Sequence, residues 1–212
     1  MVSIQPLGFS KKEVIVFGFN KAKENISFFI GLFVIWAVIT IILTAFQNSL
    51  NANKQYLINL VFNLLYWVIN SIFSLGFVNI MLKFVDGVKP KFKDLYYTTK
   101  LFNFILASFI KMVIVIGGLL LFIIPGIIFS IKLQFVEYFI VDKKMDALDA
   151  IKASWELTKG VKLNLFLLGF LLGLINLLGL LCFLVGLVIT VPLSMVANAY
   201  VYRKLLNQIS LK

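Results

Sequence analysis

Long runs without a charged residue alternate along this chain with short lysine-rich segments. The uncharged runs are Asn25 to Asn53, Gln55 to Leu82, Met112 to Ile131 and Leu163 to Tyr202. The last holds 40 residues, which as a helix rising about 1.5 Å per residue is twice the length needed to cross a hydrocarbon core about 30 Å thick. It must fold back as a hairpin. The pattern predicts membrane spans at 26–47, 57–82, 102–123, 127–141, 163–181 and 184–203. Composition agrees: 61% of the 212 residues are hydrophobic, 14% are charged, and the mean hydropathy is +1.02. A soluble globular protein is excluded, and six spans leave no room for a separate soluble domain. The expected fold is an all-α polytopic membrane bundle forming one domain, 1–212.

The formal charge of +11 would suggest a polyanion partner in a soluble protein, but here the positions of the charges carry the information. Seventeen of the 20 Lys and Arg fall in the N-terminal segment, the second and fourth connections and the C-terminus; the alternate connections carry only Lys54. By the positive-inside rule both termini are expected in the cytoplasm. Anionic lipids, and possible partner proteins in the same membrane, are the expected partners; nucleic acid is not. The first apolar run is too long for a cleaved signal peptide and is expected to stay in the protein.

Each cytoplasmic segment that leads into a hairpin also reads as a short amphipathic helix. In the third, Met145, Leu148, Ile151 and Trp155 share a face, and the pattern has Leu148, Ile151 and Trp155 entering the acyl boundary while Lys143, Lys144, Lys152 and Lys159 meet headgroups. In the second, Phe92, Leu95, Tyr96 and Thr99 share a face after Pro90. In the first, the side is formed by Ile15, Phe19, Ala22 and Ile26. The chain therefore reads as three units of amphipathic helix plus hairpin, 1–82, 83–142 and 143–212, entering their first spans through similar phrases around Asn25, Asn103 and Asn164. Any series of hairpins starting inside would share part of this look.

Histidine is absent and the single cysteine, Cys182, lies in an apolar run, so it reads as a buried, inert thiol. No Ser/His/Asp, Cys/His or zinc pattern can be assembled, and no phosphate loop is present. The expectation is a non-enzymatic protein without catalytic residues, metal or cofactor. Several residues resist the apolar reading. Asn59, Asn63, Tyr66, Asn70 and Ser74 form a polar stripe on the second span, fitted either to interhelical hydrogen bonds or to a hydrated groove for a headgroup or solute. Gly169 and Gly173 form a GxxxG suited to close helix packing. Pro125 and Gly126 are expected to make a tight extracellular reversal. With the chain reversing there, Lys111 and Glu137 fall at nearly equal depth and are expected to form an intramembrane ion pair. Lys132 has no evident acidic partner; it is a candidate for contact with a phosphate, a carboxylate or water, or else it snorkels to an interface.

The phrases Ile-Pro125-Gly126-Ile, Val141-Asp142, Ala150-Ile-Lys-Ala-Ser154-Trp155-Glu-Leu-Thr-Lys159-Gly160, Val191-Pro192-Leu and Ala199-Tyr200-Val-Tyr202-Arg203 resemble the prokaryotic multipass families grouped with the membrane domain of glycerophosphoryl diester phosphodiesterases, and the YciC-like inner-membrane proteins. The resemblance covers about 120 to 204 and, loosely, Gly87 to Leu95. It implies a six-span bundle in a bacterial or archaeal cytoplasmic membrane and no catalysis in this chain. The role expected is interaction with lipid headgroups or partner membrane proteins. The competing class is a small transporter or channel with a polar groove lined by the second and third hairpin-proximal spans, supported by the polar stripe of the second span and the intramembrane charges.

Overall fold

The computed structural model describes residues 8–52, 56–182 and 186–210. The described residues are helical and contain no strand. Helix α1 (Lys11–Glu24) starts where the Ser10 hydroxyl accepts the backbone N–H of Glu13 at 3.4 Å. Then come α2 (Ile26–Ala52), α3 (Tyr56–Val85), a single 3₁₀ turn (Phe92–Leu95), α4 (Leu101–Leu121), α5 (Ile123–Lys132), α6 (Val136–Lys143), α7 (Ala147–Leu157), α8 (Lys162–Leu181) and α9 (Leu187–Ser210). Among the described residues, five stretches are long and apolar enough to cross a membrane: α2, α3, α4, the combined α5–α6 stretch and α8. This is an all-helical membrane protein.

The helices sort into an outer and an inner set. Only 11%, 17% and 22% of the membrane-length stretches of α2, α4 and α8 are buried, against 44% and 39% for α3 and α5–α6. The more lipid a helix faces, the more apolar its sequence must be. The same logic accounts for α9, which falls short of the apolarity of a lipid-facing span. Val196, Ala197, Ala199, Val201, Tyr202 and Leu205 are wholly buried, so α9 is surrounded by protein and tolerates Asn198, Tyr200 and Arg203. Inner helices α3, α6 and α9 meet around Tyr202, whose ring lies 5.3 Å from Tyr138 in a stack and 5.2 Å from Phe139 edge-on.

The leading segments do not lie apart from this bundle. Each folds back along the last helix of another unit: the 3₁₀ turn on α3, α7 on α6, and α1 on α9. The order is cyclic, and the first segment closes on the last helix. Small residues permit the approach. A Cβ on Gly18 would meet the Leu193 carbonyl oxygen at 2.6 Å, and one on Gly76 would overlap the backbone of Leu95. On α7 the small buried residues are Ala147, Ala150 and Ser154.

One expectation about these segments is corrected, and two of the segments gain a protein-facing side. In α1 the buried face is Val14, Gly18 and Ala22, which fits α9, and Phe19 is left on the exposed side. In the second segment helix is limited to one 3₁₀ turn, with Leu95 buried and Tyr96 75% exposed, because the Leu95 backbone is held against Gly76. In α7 the buried face is Ala147, Ala150, Ser154 and Leu157, while Leu148 is 59% exposed. The small side docks on protein, and Leu148 is left on the outer side.

The reversal near Pro125 is corrected as well. The chain turns at Phe122, the one extended residue between α4 and α5 (φ −162°, ψ 153°), and Pro125 sits within the first turn of α5, where its missing N–H has no helical partner to lose. Gly126 is needed for proximity: a Cβ there would run into Leu119.

Candidate functional site

Polar and charged groups gather at three places. The first is where the inner helices end. Arg203 of α9 donates two hydrogen bonds to Asp86, just past α3, at 2.8 and 2.7 Å, and a third nitrogen lies 2.7 Å from Asp142 of α6. Asp142 also accepts from the Tyr202 hydroxyl at 3.0 Å. The Asp142 carboxylate is 12% exposed and the Arg203 side chain 19%, so the bidentate guanidinium geometry is held in a largely dry setting. One cation joins the ends of α3, α6 and α9.

The second place is the α4–α5–α6 hairpin. Lys111 Nζ lies 3.2 Å from Glu137 Oε1, with about a quarter of each side chain exposed. Ser108 and Ser130 line the same groove of about 290 Å³. Thermal unfolding in a single detergent should find Lys111→Met destabilised by about 1–3 kcal/mol, with much of the loss recovered when Glu137→Gln is added. Additive losses would show that the two charges are not coupled.

The third place is the break between α5 and α6. Ser154 of α7 bridges it, donating to the Lys132 carbonyl at 2.7 Å and accepting the Phe135 N–H at 3.2 Å, which satisfies backbone groups that the interrupted helix leaves open. Lys132 Nζ stands 3.3 Å above the centre of the Trp155 ring, and that ring stacks on Phe129. Trp155 is therefore held against protein as well as facing outward. Of the other candidate lipid contacts, Lys143 lies 3.4 Å from Asp142, Lys159 lies 3.7 Å from Glu156, and Lys144 and Lys152 are exposed.

The polar stripe of α3 lies elsewhere. Gln47 of α2 donates to Asn63 at 2.7 Å, Asn63 donates back to the Asn59 carbonyl at 2.9 Å, and Asn70 donates to the Tyr66 carbonyl at 2.9 Å. These amides are consumed within the α2–α3 hairpin, so Asn59, Asn63 and Asn70 do not share a site with Lys132. Two more expectations fail. The Cys182 thiol is exposed at the end of α8, because the chain opens into a turn there. Nothing lies within 4 Å of a Cβ built on Gly169 or Gly173, so no helix among the described residues packs on the GxxxG.

Outside the spans, three carboxylates fasten the leading segments. The Lys204 hydrogen bond, backed by the Tyr200 hydroxyl, holds the Glu13 carboxyl below the usual carboxylate range. The Lys100 hydrogen bond, with help from Asn103, does the same for Asp146. Burial pushes Asp94 up, but the bonds from Lys83 and the Lys91 N–H outweigh it, and its carboxyl is also low. A depressed carboxyl contributes stability that is complete above its unfolded value, near 4, and lost as pH falls through the folded value. The melting temperature should hence be flat from pH 7 to about 5 and fall below about 4. Titrating Asp146→Asn beside the unmodified protein checks this; its acid limb should be shallower.

Residues 19–208 match a family described as a domain of unknown function, DUF7847. The chain is 36% identical over 134 residues to the uncharacterized protein Rv2560 of Mycobacterium tuberculosis, an overlap of 61% of this chain and 40% of that protein. It is 42% identical over 92 residues to the uncharacterized protein Mb2590 of Mycobacterium bovis, covering 42% of this chain and 27% of the relative. The chain thus spans less than half the length of these relatives. No solved structure matches it. The family match runs from within α1 to the last turn of α9 and takes in all three charged places, and the chain belongs to the DUF7847 family.

Proposed function

We propose that this protein is a non-enzymatic, six-span component of a prokaryotic cytoplasmic membrane whose charged side holds anionic lipid headgroups. The supporting observation is how its charges are spent. Among the described residues, every carboxylate except Asp149 takes part in an ion pair, whereas Lys11, Lys12 and Lys23, Lys89, Lys91 and Lys93, and Lys144, Lys152 and Lys162 have none. The acids are used to fasten the fold, and the surplus of cations stays available. Each lysine near an anionic surface adds up to about 1 kcal/mol of attraction. With α9 as the sixth span, all these lysines belong to one side of the membrane.

The topology is testable separately. In a Cys182→Ser background, an impermeant thiol reagent should label Lys54→Cys from outside and Lys152→Cys only after permeabilisation. Labelling of both from the same side would rule out six spans. The lipid reading is tested by native mass spectrometry of the protein extracted with its lipids: anionic species should be enriched over their share of the membrane, and retention in simple proportion to that share would overturn it.

A transporter remains the second reading, supported by the Lys111–Glu137 groove with its two serines. Against it stands the packing of the inner helices, whose meeting point is filled by Phe135, Tyr138, Phe139 and Tyr202. Reconstituted vesicles should show no ion or proton flux above that of protein-free vesicles.

A further inference from the structure

The cleft between α5 and α8 combines features that no internal role uses up. Its walls are Ser130, Ile131 and Gln134 on one side and Leu165, Phe166, Gly169 and Phe170 on the other, around about 260 Å³. At about 30 Å³ per molecule that is room for some eight waters, the scale of a small polar group rather than of a whole lipid. The amide nitrogen of Gln134 is buried without a hydrogen-bond partner, a condition that is unfavourable unless an acceptor arrives. Lys132 leaves α5 two residues earlier, and Lys162 opens α8 close enough to act on it electrostatically. Neither lysine has an acidic partner among the described residues. Lys132 follows the lining residue Ile131 and Lys162 lies one turn before the lining residues Leu165 and Phe166, so two like charges flank a cleft whose wall holds an orphaned donor, and an anion would relieve their repulsion.

We propose that this cleft is a specific site for the phosphate of an anionic phospholipid, with Lys132 and Lys162 as its cationic partners, Gln134 as a donor, and an acyl chain lying along α8 over Gly169. The inference rests on the lipid-contact reading above and adds a defined seat to it. Trp155 holds Lys132 from beneath by its ring face, which fixes the ammonium while leaving its N–H groups able to donate. The residues beyond Lys162 favour a lipid over a free anion. Lys162 is the last charged residue before 40 uncharged ones, so the site sits where polar chain gives way to apolar helix. Below it Phe166 and Phe170 are 41% and 57% exposed, and the missing side chain of Gly169 leaves a trough between them.

The test uses the full chain, delipidated in a neutral detergent, and follows thermal unfolding during titration with phosphatidylglycerol, phosphatidylcholine or inorganic phosphate. Phosphatidylglycerol should stabilise the protein saturably, and phosphatidylcholine and inorganic phosphate should not. In Lys132→Gln with Lys162→Gln the half-saturating lipid concentration should rise at least tenfold, while Lys21→Gln, a lysine of α1 already paired with Glu24 and not part of the cleft, should leave it unchanged. Gly169→Leu fills the trough without touching a charge, at a position where a Cβ meets nothing within 4 Å; it too should raise that concentration, which keeps the test valid if the lysine variant misfolds. Unchanged titrations in both cleft variants, with phosphatidylglycerol still preferred, would overturn this site and leave the general lipid reading standing. No preference for phosphatidylglycerol in the unmodified protein would overturn both. Equal stabilisation by inorganic phosphate would make it a site for a free anion and overturn the lipid assignment.

Discussion

Arg203→Met should be among the most damaging single substitutions in this protein, lowering stability by about 3 kcal/mol in a detergent melt. The methionine keeps most of the side-chain volume, so the loss is electrostatic: Asp86 and Asp142 are left facing each other with their shared cation gone. Breaking a buried pair by removing one partner typically costs about 3–5 kcal/mol, and the lower end applies because the Asp86 side chain is 40% exposed. Adding Asp86→Asn and Asp142→Asn to the methionine variant should restore a large part of the loss. If the triple variant melted no higher than Arg203→Met alone, the arginine would be acting through packing against its neighbours, and the electrostatic account would be wrong.

Gly76→Ala should be comparably severe, at about 3 kcal/mol. Overpacking normally costs about 1–3 kcal/mol because a flexible side chain can move away. At Gly76 the neighbour is the backbone of Leu95, which cannot yield without undoing the 3₁₀ turn and its bonds from Asn79 to the Asp94 carbonyl and from Lys83 to the Asp94 carboxylate. Protease sensitivity between residues 87 and 100 should rise together with the fall in melting temperature. A normal melt with unchanged proteolysis would mean that the segment is not seated as described. Gly117→Ala is the control, since a Cβ there meets nothing within 4 Å, and alanine should be harmless or slightly stabilising.

The outer helices were the most legible part of the chain because they face lipid, and lipid contact leaves a direct mark on sequence as uninterrupted apolarity. The spans expected at 26–47, 102–123 and 163–181 correspond to α2, α4 and α8 within a few residues. Inner helices carry a weaker mark, since protein surroundings accept polar groups; α9 was legible only because 40 uncharged residues are too many for one crossing. The docking faces left no such mark, for a related reason. Period counting favours large apolar residues such as Phe19 and Leu148, whereas close helix contact selects Gly18, Ala150 and Ser154, which score as neutral. Residues Lys111 and Glu137 could be paired from chain position alone because an ionisable group deep in a span needs a partner. The Arg203 junction could not: its three members lie at span ends, where charges are commonplace. The recurrence of Val85-Asp86 and Val141-Asp142 at the ends of successive hairpins was the available signal.

The cyclic packing order bears on how the molecule is made. Helix α1 leaves the ribosome before the other helices described here, yet its surface is completed by α9, the last of them to emerge; just ahead of α1, Gly8 and Gln208 exchange hydrogen bonds at 3.1 and 2.8 Å. At about 5–20 residues per second the intervening stretch takes on the order of 10–40 s to appear. During that interval the Val14–Gly18–Ala22 face has no mate from its own polypeptide. It waits on the membrane surface or in the care of the insertion machinery, while the 3₁₀ turn and α7 can dock as soon as they emerge, on helices already in place. Among these helices assembly therefore closes as a ring, and a nascent chain arrested before residue 187 should carry α1 undocked.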